Sequence, residues 1–270
     1  MDDNIFEVAL DCLLCPDPAE KCRLTAAAAE AVVRGTLQVR TAPPPRAVEA
    51  PGRPACPRLV KPRDLPRRKA GSVEGRAVLL HALAHIEFNA INLAWDAVYR
   101  FRDMPAAFYA DWANVAREEA LHFRLLCDCL QRLGYAYGSF DAHNGLWEMA
   151  CRTAHDSLVR MALVPRVLEA RGLDVTPAIL GRLRKSGDGC AVEALEVIQR
   201  DEIGHVEIGS RWFRYLCERR GLDPGTTFIE LLDEYMPGKV RPPFHYEARR
   251  QAGFNDREIR WLEEIAACAR

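Results

Sequence analysis

Long uninterrupted apolar runs are missing from this sequence. No stretch approaches the ~20 residues that a membrane-spanning helix needs, so no transmembrane segment is expected. An excess of one charge is missing too. The formal net charge is −1 over 270 residues, which removes any global argument for nucleic-acid or membrane binding. The opening Met1-Asp2-Asp3-Asn4 is acidic and no typical leader follows it, so the expected compartment is the cytoplasm. There is no phosphate-cradling glycine loop, no dinucleotide fingerprint and no nucleophile elbow, which leaves nucleotide-dependent and serine-hydrolase chemistry without a motif. Convincing strand alternation is lacking as well.

Cysteine is plentiful by contrast, with ten residues. Cys12-Leu-Leu-Cys15 is the one C-x-x-C, whereas zinc ribbons and rubredoxin-like iron sites generally need two such pairs. Cys12, Cys15 and Cys22 therefore read as small buried hydrophobes, and an intracellular chain would keep its thiols reduced.

Apolar residues make up 49% of the chain, enough for an ordinary globular core. Residues 4–35 look helical and alanine-rich, broken by Pro16-Asp17-Pro18. Residues 41–73 are rich in proline and carry Arg53, Arg58, Lys61, Arg63, Arg67, Arg68 and Lys69. This stretch reads as a solvated basic strap over the core, with a phosphate or RNA contact as its functional alternative. Helical periodicity then predicts helices at about 74–102, 105–133, 145–171 (kinked by Pro165) and 188–220, and tail pieces near 224–235 and 255–268. Thr176-Pro177 reads as the start of a short extra helix. The expected fold is all-α. Residues 1–73 would form N-terminal helices and the strap, 74–220 a four-helix bundle with one crossover, and 221–270 a helical tail.

Two short patterns carry the chemistry: Glu119-Ala-Leu-His122 and Glu202-Ile-Gly-His205. Residues three apart share a helix face, so each pair presents a carboxylate and an imidazole together. That combination suits a first-row transition metal. Glu87 lies 32 residues before Glu119, and Glu169 lies 33 before Glu202. If the chain reverses near residue 103, Glu87 and Glu119 stand at similar heights, about 24 Å from the turn. The arrangement of one Glu from each of two helices and Glu-x-x-His from each of two others would comprise Glu87, Glu119, His122, Glu169, Glu202 and His205. Asp201 and Glu118 precede the two motif glutamates, and each could accept an N–H from a metal-bound histidine. His85, two residues from Glu87, points elsewhere on its helix and reads as a hydrogen-bonding residue.

With these residues in place, the chain resembles the ferritin-like di-iron carboxylate superfamily over roughly residues 74–220. Longer strings look closer still to an uncharacterised bacterial family of ferritin-like proteins, and extend the resemblance over most of the chain. They are His81-Ala-Leu-Ala-His-Ile-Glu-Phe-Asn-Ala-Ile91, Gly145-Leu-Trp-Glu-Met149, Met161-Ala-Leu-Val-Pro-Arg-Val-Leu-Glu-Ala-Arg-Gly172 and Arg200-Asp-Glu-Ile-Gly-His205. The resemblance implies two iron ions, with manganese as the second choice, and reaction with dioxygen or peroxide. It implies an oxidase or hydroxylase whose small-molecule or RNA substrate and electron donor it does not name. The alternatives are a peroxidase or ferroxidase-like protein, a tRNA-modifying hydroxylase, and a helical protein with a structural metal pair. No membrane partner is expected, and a homo-oligomer is compatible with the sequence.

Overall fold

The computed structural model describes residues 3–40, 43–65 and 71–268. Arg67, Arg68 and Lys69 of the basic run lie outside the described residues. The fold is all-α: among the described residues there is no strand, only the isolated bridges Asn4–Gln38 and Leu59–Ala142. Contacts divide the chain into two compact units, Met1–Cys151 and Arg152–Arg270.

In the first unit, α1 (Ile5–Leu14) and α2 (Pro18–Val33) precede the long pair α3 (Val73–Arg100) and α4 (Ala106–Arg132), and α5 (Gly145–Arg152) follows the crossover loop. Side chains cap the starts: Asn4 accepts from the Phe6 N–H, Asp17 from Glu20 and Ser72 from Gly75. Between α3 and α4 the chain reverses at residues 101–105, as the sequence reading expected. Tyr109 fastens this reversal: its hydroxyl donates to the Phe101 carbonyl (3.0 Å) and accepts from the Met104 N–H (3.3 Å).

Helix α3 is long and apolar enough by composition to cross a membrane, although no uninterrupted apolar run marks it. Of its most apolar window, 83% is buried in the protein. The buried residues include Glu87, Asn89, Asn92 and Asp96, and α1 and α4 pack against the helix. A core helix with neighbours on several sides needs this all-round apolarity.

The strap is extended, with one 3₁₀ turn at Pro62–Asp64. It is anchored rather than loose. The Gly52 N–H donates to the Leu13 carbonyl (2.9 Å), the Val60 N–H to Ala142 (2.8 Å), and the Trp147 indole to Glu49 (2.9 Å). Of the basic run, Arg58 pairs with Asp141 (2.6 Å) and Arg63 with Asp64 (3.7 Å).

In the second unit the expected helix 145–171 is replaced by a succession. Helix α5 ends, Asp156 caps α6 (Ser157–Leu163), and a π-helical segment (Val164–Glu169) leads into α7 (Ala170–Lys185). Pro165 explains the π segment. It has no N–H, and its ring would crowd a carbonyl one turn back; the wider π turn makes room. The short extra helix expected at Thr176-Pro177 does not form, because Pro177 lies inside α7. Tertiary contacts hold that stretch: buried Asp174 accepts from Arg249 (2.7 and 2.9 Å) and from the His245 N–H (2.9 Å). Helix α8 (Gly189–Arg220) ends at left-handed Gly221 (φ 65°), followed by α9 (Pro224–Tyr235), α10 (Tyr246–Gln251) and α11 (Asp256–Cys268).

Eight cysteines are free thiols, among them Cys12, Cys15 and Cys22. Cys129 and Cys190 are half-cystines, which departs from the expectation that every thiol is reduced.

Two glycines test this packing in opposite directions. A Cβ on Gly52 would lie 2.1 Å from the Leu14 carbonyl oxygen, so Gly52→Ala is expected to destabilise by about 2 kcal/mol or more. Nothing approaches a Cβ on Gly172 within 4 Å, and the residue lies inside α7. Gly172→Ala is therefore expected to stabilise by about 0.5–1 kcal/mol. Denaturant melts of the two variants check both signs.

Candidate metal centre

Each unit carries a buried carboxylate–imidazole cluster. In the first, α3 supplies Glu87, and α4 supplies Glu119 and His122. Glu119 and His122 have no exposed surface, and Glu87 is 5% exposed. His122 Nδ1 lies 3.3 Å from Glu119 Oε2 and 3.7 Å from Glu87 Oε2. Burial alone would push the His122 imidazole below its ordinary range. Glu119 and Glu87 outweigh it and hold the imidazole protonated, pushed up to about 11. The Tyr109 fastening keeps the hairpin in the register that sets these side chains opposite each other.

In the second unit, α8 supplies Glu202 and His205, with His205 Nδ1 3.6 Å from Glu202 Oε1. Both are buried. Glu169, also buried, is the last residue of the π segment, so the bulge sets the direction of its side chain. Helix α8 can approach that segment because residue 209 is glycine: a Cβ there would sit 2.3 Å from Pro165 Cγ.

Carboxylate oxygen and imidazole nitrogen, buried together on rigid helices, can hold a metal ion, and Glu119, His122, Glu202 and His205 have the burial and donor atoms for it. Glu118 is half-buried and accepts from Asn114 (3.1 Å) and Arg117 (3.1 Å). Asp201 accepts from Arg200 (2.9 Å). The other histidines take structural roles. His85 binds the Tyr137 hydroxyl at Nδ1 (2.9 Å) and the His143 carbonyl at Nε2 (3.1 Å), as expected of a hydrogen-bonding residue. His81 Nε2 accepts from the Gly138 N–H (2.9 Å), and His245 caps α10.

Sequence reasoning missed the support behind Glu169. Arg166 is buried in the same π segment, ion-paired with Glu258 (2.7 Å) and donating to Ser210 (3.1 Å). Its guanidinium lies over the rings of Phe213 (4.7 Å), Phe228 (4.1 Å) and Phe254 (4.6 Å). Burial pulls its pKa below the ordinary range, against the pull of Glu258. The partners come from α8, α9 and the tail, so no local pattern announces them. Lys21 was missed for the same reason. It is buried on α2 and donates to the Cys12 and Leu13 carbonyls and to Asn92 (2.7, 2.9 and 2.7 Å).

Comparison with known proteins adds a family. The profile of a family described as "Protein of unknown function (DUF455)" matches residues 14–260. An "Uncharacterized protein" of Haemophilus influenzae is 51% identical over 219 residues, covering 78% of this chain and 76% of the relative. No solved structure matches the chain.

Two outcomes follow from the buried groups. Removing the carboxylate in Glu258→Ala leaves the Arg166 charge buried without its ion-pair partner, which is expected to cost about 3–5 kcal/mol in a denaturant melt. His81 and His85 are pushed down by burial to about 4, from 6.5. Their neutral forms belong to the folded state, while the unfolded chain takes up protons below about pH 6.5. Stability should therefore fall as pH drops from about 6.5 to about 4. The double variant His81→Gln/His85→Gln should flatten that limb of a stability–pH curve.

Proposed function

The chain belongs to the DUF455 family of proteins of unknown function, and we propose that it is a ferritin-like di-iron carboxylate protein that activates dioxygen. The observation that carries this reading is the doubled, buried Glu-x-x-His: Glu119 with His122, and Glu202 with His205. Each pair is accompanied by a buried glutamate from the preceding helical segment, Glu87 or Glu169. In this reading residues 74–220 form the four-helix bundle, with 1–73 and 221–270 as flanking parts, and the six side chains hold one metal pair.

The chemistry of the donor set supports the assignment. Four carboxylates offset the charge of two divalent cations, and two imidazoles add neutral nitrogen donors. No sulfur belongs to the set, which speaks against an iron–sulfur cluster. Iron is the metal we assign, with manganese next by donor type. Two bound ferrous ions would supply two electrons, enough to take dioxygen to the peroxide level, with an external donor restoring them.

The residues of the chain do the rest. Burial of Glu119 and His122 keeps bulk water away and strengthens every interaction at the site. The carboxylates can change from one-oxygen to two-oxygen binding as charge changes. Asp201 and Glu118 would accept the outer N–H of the motif histidines once metal is bound, fixing the tautomer of each ring. The oxidised substrate is a small molecule or an RNA, the electron donor is external, and the compartment is the cytoplasm.

Protein purified without oxygen should carry about two metal ions per chain, chiefly iron. Glu119→Ala and His205→Ala should each lower occupancy sharply, whereas Cys12→Ser should leave it unchanged. Full occupancy in both ligand variants would mean that other residues hold the metal. The anaerobic ferrous protein should consume dioxygen, and Asp201→Asn should bind metal normally yet react about 10–100-fold more slowly. Inertness of the iron-loaded protein to both dioxygen and peroxide would leave a structural role for the metals in place of the oxidase.

A further inference from the structure

The first unit contains a cavity of about 680 Å³ bounded by α2, the strap, α4 and the loop after α4. We propose that this cavity binds a planar aromatic molecule bearing one anionic group.

The volume lies within the ~300–1,000 Å³ typical of small-molecule sites. The inner wall is aromatic. Phe123 and Tyr137 both line the cavity, and their rings meet edge-on at 5.0 Å and 90°. Phe88 contacts both of them, at 5.4 Å from each. Pro18 and Pro54 supply further flat apolar surface. Rings and prolines together favour a flat guest that can stack or meet a ring edge. Three thiols belong to the lining, exposed Cys56 and the more buried Cys22 and Cys127. Burial pushes Cys22 up to about 11 and Cys127 up to about 12, so both are neutral. These two neutral thiols act as soft, polarisable wall rather than as nucleophiles.

The sign of the polar group follows from which lining groups are already engaged. The Tyr137 hydroxyl is held by His85. Arg23 makes a two-pronged pair with Glu20, at 2.7 and 2.6 Å. Arg124 lies near the Cys22 thiol and makes no ion pair among the described residues. Being exposed at the rim, it can turn its planar fork toward a carboxylate or sulfonate. Asp128, also exposed in the lining and one helical turn on from Arg124, limits the guest to one anionic group, held on the Arg124 side. One flat apolar body with one negative group is the guest that matches this distribution.

The cavity and the first carboxylate–imidazole cluster share helix α4. Phe123 follows His122 in α4, and Phe88 follows Glu87 in α3. Consecutive residues on a helix point about 100° apart, so the rings of Phe88 and Phe123 stand on the faces next to those that carry Glu87 and His122.

The test uses full-length protein, metal-free and iron-loaded, with two fluorescent probes. These are 8-anilinonaphthalene-1-sulfonate and its uncharged analogue N-phenyl-1-naphthylamine. Both should bind at one site per chain, with or without metal. Arg124→Gln should weaken the sulfonate about tenfold and leave the neutral probe within about twofold. Ala26→Trp, an exposed helix position in the lining, should fill the cavity and abolish binding of both. Cys56 lines the cavity and is exposed, so bound probe should slow its alkylation by a maleimide, read by mass spectrometry. Exposed Cys268, which lies outside this lining, should react at an unchanged rate. Equal weakening of both probes by Arg124→Gln would overturn the anionic assignment. Unaltered binding in Ala26→Trp with Cys56 unprotected would overturn the site itself. Binding is read without metal, so its failure is separate from failure of the di-iron reading, which shows in metal content.

Discussion

Charge buried inside apolar helices is the constraint on which the rest of this structure depends. An ion taken out of water costs several kcal/mol unless a partner offsets it. Here Glu87, Glu119 and His122 lie within the α3–α4 hairpin, and Glu169, Glu202 and His205 lie within the helices of the second unit. A stable fold tolerates such groups only where something compensates. The imidazole of His122 between two carboxylates is part of that compensation. Two divalent cations would offset the four carboxylates in full, and the imidazole would then lose its proton and serve as a neutral nitrogen donor.

The other buried ions show how this chain treats charges with a structural task. Lys21 donates to three acceptors at 2.7–2.9 Å and knits the end of α1 to α3. Arg249 meets Asp174 at two oxygens, and Arg166 meets Glu258 inside a ring of phenylalanines. These pairs join segments far apart in sequence and hold the helices on which the ligand candidates stand. The Arg166 pair is the most direct case, because it anchors the π segment that ends at Glu169.

Local rules sufficed wherever a helix carried its own punctuation. The end of α8 at residue 220, the span 224–235 of α9 and the reversal at residues 101–105 fall where the sequence pattern placed them. The pairing of Glu with His at three-residue spacing was legible for the same reason, since helical geometry dictates a shared face. Reading failed where tertiary contacts overrode local preference. Pro177 sits inside α7 because Asp174 beside it is tied to Arg249 and His245, partners about 70 residues away. The π segment stands in place of a simple kink where Pro165 needs a wider turn, and glycine at 209 on α8 leaves space for its ring. The cavity beside Phe123 was invisible for a related reason: its walls come from three segments that only the fold brings together.

The central claim is that two metal ions sit on carboxylates and imidazoles alone. Metal-edge X-ray absorption on the natively loaded protein, with metal content measured on the same sample, addresses it most directly. The account predicts about two metals per chain, a nitrogen and oxygen shell near ~2.0–2.2 Å, and a second metal as a heavier scatterer further out. A sulfur shell near ~2.3 Å, or protein that never retains metal, would contradict it.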